Sequence, residues 1–221
     1  MKSPAPTLHP DVIQHLHALS ERPRTLLGIV GLPGSGKSTL AALAASAVST
    51  CAQAVPMDGF HLAQAELVRQ GTADRKGAPH TFDPSGYASL LRRLKQQPPG
   101  EVVYAPDFRR DLEEPVAGAL PVHAETRLII SEGNYLLLNS ADWEQVAPLF
   151  DEIWYLHVDD AARLQQLLER HMRFGRTREQ ALAWIASNDE PNARVIETTR
   201  SRANKEVRWD AKACQYAFAS H

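Results

Sequence analysis

Cross-links, membrane-length apolar runs and one-signed charge are all scarce in this 221-residue chain. Cys51 and Cys214 are too few and too far apart for a disulfide framework or a zinc site, and they fit a reducing compartment. No apolar run approaches the roughly 20 residues of a membrane span. Met1 to Pro10 lacks the basic and then apolar segments of a secretory leader. The expectation is a cytoplasmic protein with no membrane partner. The 24 Lys and Arg against 26 Asp and Glu leave a net charge of −2, so no overall field favours a polyanion. Without a basic face interleaved with aromatics, no nucleic-acid partner is expected. Neither repeats nor low-complexity segments occur, and the length suits one α/β domain over residues 1–221.

What is present centres on Gly31-Leu32-Pro33-Gly34-Ser35-Gly36-Lys37-Ser38-Thr39, between the apolar run Leu26 to Val30 and the alanine-rich Leu40 to Val48. Strand, glycine loop and helix follow one another. The spacing G-x-x-x-x-G-K-[ST] lets several backbone N–H groups point inward at a nucleotide's phosphates, which a loop poor in side chains allows. The helix start adds its positive dipole end. Lys37 is expected at the β/γ-phosphates and the Ser38 hydroxyl on Mg²⁺.

The rest of the chain alternates strands with helices. Pro10 to Leu19 has helical spacing, and Gln53 to Met57 is a brief strand run that ends at Asp58-Gly59-Phe60-His61, where the glycine permits a sharp turn. Leu62 to Gln70 reads as a helix and residues 71–83 as a basic loop. Pro84 to Gln97 is a helix that Pro98-Pro99-Gly100 stops. Glu101 to Tyr104 is a short strand, and residues 105–125 form an excursion with the character of a hairpin or a lid. Arg127 to Ser131 is a strand that ends in Glu132-Gly133-Asn134, with Tyr135 to Leu138 continuing its apolar pattern. Phe150 to Val158 is a buried strand. Asp159 caps a helix whose apolar stripe is Leu164, Leu167, Leu168 and Met172, and Gly175 ends it. Thr177 and Gln180 form a capping box for a helix through Ala186. A further helix is expected over Pro191 to Arg202 and a last short strand over Glu206 to Trp209. This order predicts an α/β fold, a doubly wound and mostly parallel sheet with helices on both faces and a helical lid at about 163–178.

Phosphoryl transfer needs phosphate grip, a divalent metal, a positioned nucleophile and positive charge on the moving group. Asp58, at a strand exit, is placed to accept the proton of an acceptor hydroxyl and to touch the metal through water; the plainer alternative is a residue that supports its turn. Glu132 stands where many P-loop proteins hold Mg²⁺ with an aspartate. Arg170 and Arg173, late in the arginine-rich helix, are candidates to swing onto the phosphates, whereas Arg163 and Arg178 read as solvated. His61, Arg75, Lys76 and Arg109 are candidates to hold an anionic or polyhydroxylated acceptor. The other histidines lack metal-ligand spacing and read as structural.

Taken together, GLPGSGKST at 31–39, MDGFHL at 57–62, RKGAPHTFD at 75–83, IISEGNYLLL at 129–138 and RLQQLLERHMRFG at 163–175 resemble the phosphoribulokinase/uridine kinase family of P-loop kinases. Type I pantothenate kinases look nearest, but residues 104–110 lack their aromatic and histidine pattern, and the chain looks more like sugar or nucleoside kinases of the family. The resemblance implies a doubly wound kinase core, ATP with Mg²⁺, and transfer of the γ-phosphate to a hydroxyl of a small metabolite. It also puts Asp58 in the position of the catalytic aspartate, Lys37 and Ser38 at the phosphate and metal positions, Glu132 at the acidic strand end, and Arg170 with Arg173 in the lid. ATP rather than GTP follows from the resemblance alone, and a homodimer stays open. The rival reading is a regulatory P-loop NTPase without a small acceptor. Against it stands the absence of the Asn-Lys-x-Asp and Leu-Ser-Gly-Gly-Gln motifs.

Overall fold

A computed structural model describes residues 5–219. The chain runs β1 (Thr7–Leu8), α1 (Pro10–Ser20), β2 (Thr25–Gly31), α2 (Lys37–Ala47), β3 (Ala52–Ala54), α3 (Gln64–Gln70), α4 (Pro84–Lys95), β4 (Val102–Arg109), β5 (Glu114–His123) and β6 (Leu128–Gly133). It continues through β7 (Glu152–His157), α5 (Asp160–Arg173), α6 (Arg178–Trp184), α7 (Glu190–Glu197), β8 (Lys205–Asp210) and β9 (Gln215–Phe218). Seven strands form one sheet in the order β1-β9-β8-β7-β2-β6-β3, and β4 pairs with β5 apart from it. The five strands from β8 to β3 are mutually parallel, and β9 returns antiparallel to β8.

Every residue of β2 is buried, as expected of a strand covered on both faces. One face packs Leu26, Val30, Ile129 and Tyr155 against α4 and the β4–β5 hairpin; the other packs Leu27, Ile29, Trp154 and Leu156 against α1 and α2. The chain passes from β2 through α2 to β3, and later from β6 across β2 to β7. The crevice outside the carboxyl end of β2 is therefore the topological switch point, where ligands of open α/β sheets bind.

Several elements differ from expectation. The 105–125 excursion is a hairpin, one of its two expected forms, but the strand expected to end at Tyr104 runs on to Arg109 as β4, with a register shift between Ala105 and Asp107. Tyr135 to Leu138 is a buried turn, not more strand. The expected helix through Ala186 stops at Trp184 and gives way to a single π-helical turn, Ile185–Asp189; the next helix ends at Glu197, before a short 3₁₀ turn at Arg200–Arg202. The strands β1 and β9 were too short to leave a periodic signal. Met172 is 44% exposed and leaves the apolar stripe, while His171 and Arg163 join the buried face of α5. At about 100° per residue Met172 lies 180° around from Arg163, whereas Leu167, Arg170 and His171 lie within 80° of it. Among the described residues no helix is long and apolar enough to cross a membrane.

Candidate active site

The phosphate loop is built by backbone conformation. Gly34 and Gly36 have φ of +81° and +86°, in the left-handed region that glycine enters without strain. Gly34 also lies under α5: a Cβ there would meet Leu167 Cγ at 2.5 Å and the Arg163 carbonyl oxygen at 2.8 Å. Gly36 is the N-cap of α2 and supplies no side chain to it, so the first-turn N–H groups stay available to an anion.

The Lys37 side chain is buried, and its Nζ donates to the Leu32 carbonyl oxygen at 3.1 Å. Burial lowers its pKa to about 8, against the pull of the Glu132 and Asp58 carboxylates and with the added repulsion of Arg170 and Arg110. Ser38 Oγ donates to Glu132 Oε1 at 2.8 Å. Burial pushes the Glu132 carboxyl up, the Asp58 charge adds to this, and Lys37 opposes it. Among the described residues no group of three or more His, Cys, Asp or Glu gathers as a metal cage. A hydroxyl beside one carboxylate at a phosphate loop fits Mg²⁺, which shares its coordination with waters and phosphate oxygens.

Asp58 sits on a 3₁₀ turn, Met57–Phe60, just past β3. Gly59 does not carry the positive φ of a sharp turn; it is needed because a Cβ would meet the Pro106 carbonyl oxygen at 2.4 Å. The hairpin thus presses directly on the Asp58 turn, and Arg110 Nη2 lies 3.3 Å from Asp58 Oδ2. His61 packs between Phe82 and Phe108, with ring centroids at 4.0 and 4.7 Å. Its pKa is lowered by burial, so near neutral pH Nδ1–H donates to the Asp58 carbonyl oxygen at 2.8 Å and Nε2 remains an acceptor.

These groups line one cleft of about 480 Å³ together with Lys76, Arg170, His171, Arg176 and Asp189. Arg170 reaches it as a half-buried guanidinium with no side-chain hydrogen bond among the described residues; burial and Arg110 lower its pKa while Asp189, Asp58 and Glu132 raise it. Arg173 is exposed and off the cleft, as α5 turns it away. Arg176, beyond Gly175, lies on the cleft and stacks over Trp184 at 4.1 Å.

On the acceptor side His61 and Lys76 line the cleft, whereas Arg75 donates to the Ser187 carbonyl oxygen at 2.6 Å and Arg109 pairs outside with Asp111. Arg110 takes the place expected of Arg109. Arg110 is the first residue of the turn that follows β4, and it is the turn, not strand alternation, that brings its side chain to the cleft. Arg163, expected to be solvated, is 2% exposed; it binds Asp160, Glu190 and the Pro33 carbonyl oxygen, joining the loop to α5 and α7. Its pairing with Asp160 was within reach of an i,i+3 reading, but Glu190 was not. His171 and Asp189 were not legible as cleft residues, because a tertiary contact 18 positions apart joins them.

No family model matches the chain. It is 36% identical over 190 residues to a Schizosaccharomyces pombe protein named "Putative uridine kinase C227.14", covering 81% of this chain and 80% of that one. To an Aspergillus versicolor "ATP-dependent kinase-like protein" it is 36% identical over 152 residues, covering 65% and 88%. A crystal structure of a "putative fructose transport system kinase" from Silicibacter sp. TM1040 superimposes with a TM-score of 0.80 at 38% identity, covering 90% of this chain and 98% of that chain.

Proposed function

Because the chain belongs to the phosphoribulokinase/uridine kinase family of P-loop kinases, we propose that it is an ATP-dependent small-molecule kinase that moves the γ-phosphate to an alcohol of a sugar, nucleoside or pantothenate-like acceptor. The observation that carries this reading is the convergence on one cleft of Lys37, the Ser38–Glu132 pair, Asp58 and Arg170, whose guanidinium has no hydrogen-bond partner among the described residues. A switch or NTPase needs no walled pocket beside its γ-phosphate position, whereas a kinase does.

In the proposed reaction the loop N–H groups and Lys37 hold the β- and γ-phosphates. Ser38 and Glu132 would hold Mg²⁺, which neutralises phosphoryl oxygens and so lowers the barrier. The acceptor hydroxyl gives its proton to Asp58, its oxygen bonds the γ-phosphorus, and the bond from that phosphorus to the β–γ bridging oxygen breaks, leaving ADP. Arg110 keeps Asp58 aimed and lowers the cost of its charge. Arg170 supplies positive charge to the moving phosphoryl group, the part that arginine fingers play. His61 offers Nε2 to a donor on the acceptor, and Lys76 lies further along the same wall.

The test is Mg²⁺-dependent ADP release with and without a panel of sugars, nucleosides, sugar phosphates and pantothenate. Release that one acceptor class stimulates, and that Asp58→Asn lowers by roughly 10²–10⁴ at nearly unchanged ATP affinity, is the expected result for a lost general base. Slow hydrolysis indifferent to every acceptor and to Asp58 would instead favour the NTPase reading.

A further inference from the structure

The π-helical turn Ile185–Asp189 interrupts the path from α6 to α7, and such turns recur at functional sites because the extra residue redirects side chains. Here it buries Asn188 and Asp189, which are 2% and 7% exposed. The turn is tied to the loop across the cleft: Asn188 Nδ2 donates to the Lys76 carbonyl oxygen at 2.8 Å, and Arg75 Nη1 to that of Ser187.

Asp189 is held from the lid side. Arg176 Nη1 lies 2.6 Å from His171 Nδ1, and His171 Nε2 lies 2.8 Å from Asp189 Oδ2. A guanidinium has only donors, so Nδ1 accepts and the imidazole proton sits on Nε2, donated to Asp189. This chain orients the carboxylate and uses one of its oxygens. The other, Oδ1, has no hydrogen-bond partner among the described residues, and Asp189 lines the cleft.

A carboxylate oxygen only accepts hydrogen bonds, and Oδ1 is open to the cleft and not sealed within the protein. What completes it must bring an O–H or N–H. Of the cleft's cations Lys76 donates to the Glu113 carbonyl oxygen, Arg110 pairs with Asp58 and Arg176 donates to His171, while Arg170 feels Asp189 through space and has no hydrogen-bond partner among the described residues. Beside Asp189 the wall offers an acceptor for hydroxyls.

We infer that Asp189 is a specificity-determining residue that reads a hydroxyl of a polyhydroxylated, uncharged acceptor, a sugar or nucleoside, at a carbon other than the one phosphorylated. This rests on the kinase reading above. An acceptor with a carboxylate or phosphate at that end meets repulsion from Asp189.

The experiment compares the best neutral acceptor of the panel with its deoxy analogues, each lacking one hydroxyl, in the wild type, Asp189→Asn and Asp189→Ala. Acceptor affinity is also measured by calorimetry with a non-hydrolysable ATP analogue, so that binding is read apart from turnover. Asp189→Asn keeps the shape and an acceptor for His171 but turns a donor into the cleft. Expected is a rise of about 10- to 100-fold in acceptor KM and Kd, the scale of a lost charge-assisted hydrogen bond, with ATP KM unchanged. One deoxy analogue should lose the same factor in the wild type and lose nothing further in Asp189→Ala. The wild-type analogue series stands even where a variant fails to fold. Equal losses for every deoxy analogue in all three proteins, or preference for an acceptor with a second anionic group, would overturn the assignment and leave the kinase reading intact. If no acceptor stimulates the wild type, both fall.

Discussion

The Lys37 ammonium is buried beside two carboxylates, and a pKa of about 8 brings its titration into the working range of an enzyme assay. In the unfolded chain the same group keeps its proton to the ordinary value of 10.5. Between about 8 and 10.5 the unfolded state binds more protons, so this group makes the free protein more stable as pH rises through that window. Phosphates favour the charged form and reverse the preference. ATP affinity should be flat below about pH 7.5 and weaken towards tenfold per pH unit above 8, with a proton taken up on binding. Calorimetry in two buffers of different ionisation heat measures both, and Lys37→Arg, which stays charged, should give a flat profile. A flat wild-type profile would remove Lys37 from the titration. Motif spacing made Lys37 and Ser38 legible in the sequence, because a phosphate loop demands those residue types there, and Asp58 and Glu132 were legible from their places at strand ends and from the family resemblance. Arg109 and Arg110 were not separable by composition: Arg109 ends β4 and pairs with Asp111, whereas Arg110 begins the turn and reaches the cleft.

Two contacts between elements decide whether the cleft keeps its shape. The Pro106 carbonyl of the hairpin rests where a side chain on Gly59 would be. Gly59→Ala should therefore push β4 away from the Asp58 turn, cost about 1–3 kcal/mol in denaturant unfolding as overpacking does, and raise acceptor KM more than ATP KM. Equal KM values for both substrates in variant and wild type would show that the hairpin moves without consequence for the site. The second contact is Arg163, which ties the Pro33 carbonyl of the phosphate loop to Glu190 of α7. Arg163→Leu leaves Glu190 and a loop carbonyl unmatched; because Glu190 is about one third exposed, the expected loss is about 1–3 kcal/mol, below that of a fully buried pair, with weakened ATP affinity. Stability lost at unchanged ATP affinity would separate the fold from the loop. The helix itself was legible from its cap and apolar spacing, but its charged side was not. Arginines at 163, 170, 173 and 178 look alike along the chain, and which of them is buried depends on the phosphate loop and α7 packing against one face of α5.

Across the whole molecule, the order of strands does most to join these pieces. The strand β2 lies between β6 and β7, so the glycine loop, the Glu132 strand end and the residues after β7 leave the sheet at one crevice, and the cores on its two faces hold that rim in place. A ligand bound there touches the loop, β6, the Asp58 turn and α5 at once, and its binding energy acts on global unfolding instead of on one segment. For MgATP at about 100 times its dissociation constant the linkage is about 2.7 kcal/mol. In a chain of this length each kcal/mol moves the midpoint by about 2–4 °C, so MgATP should raise Tm by about 5–11 °C. Lys37→Ala should lose most of that shift, and Asp58→Asn, which does not grip the phosphates, should keep it. Differential scanning calorimetry with and without MgATP makes the comparison. A shift that survives in Lys37→Ala would place nucleotide binding elsewhere, and a shift lost in Asp58→Asn would make that carboxylate part of the nucleotide–metal site and not the base for the acceptor.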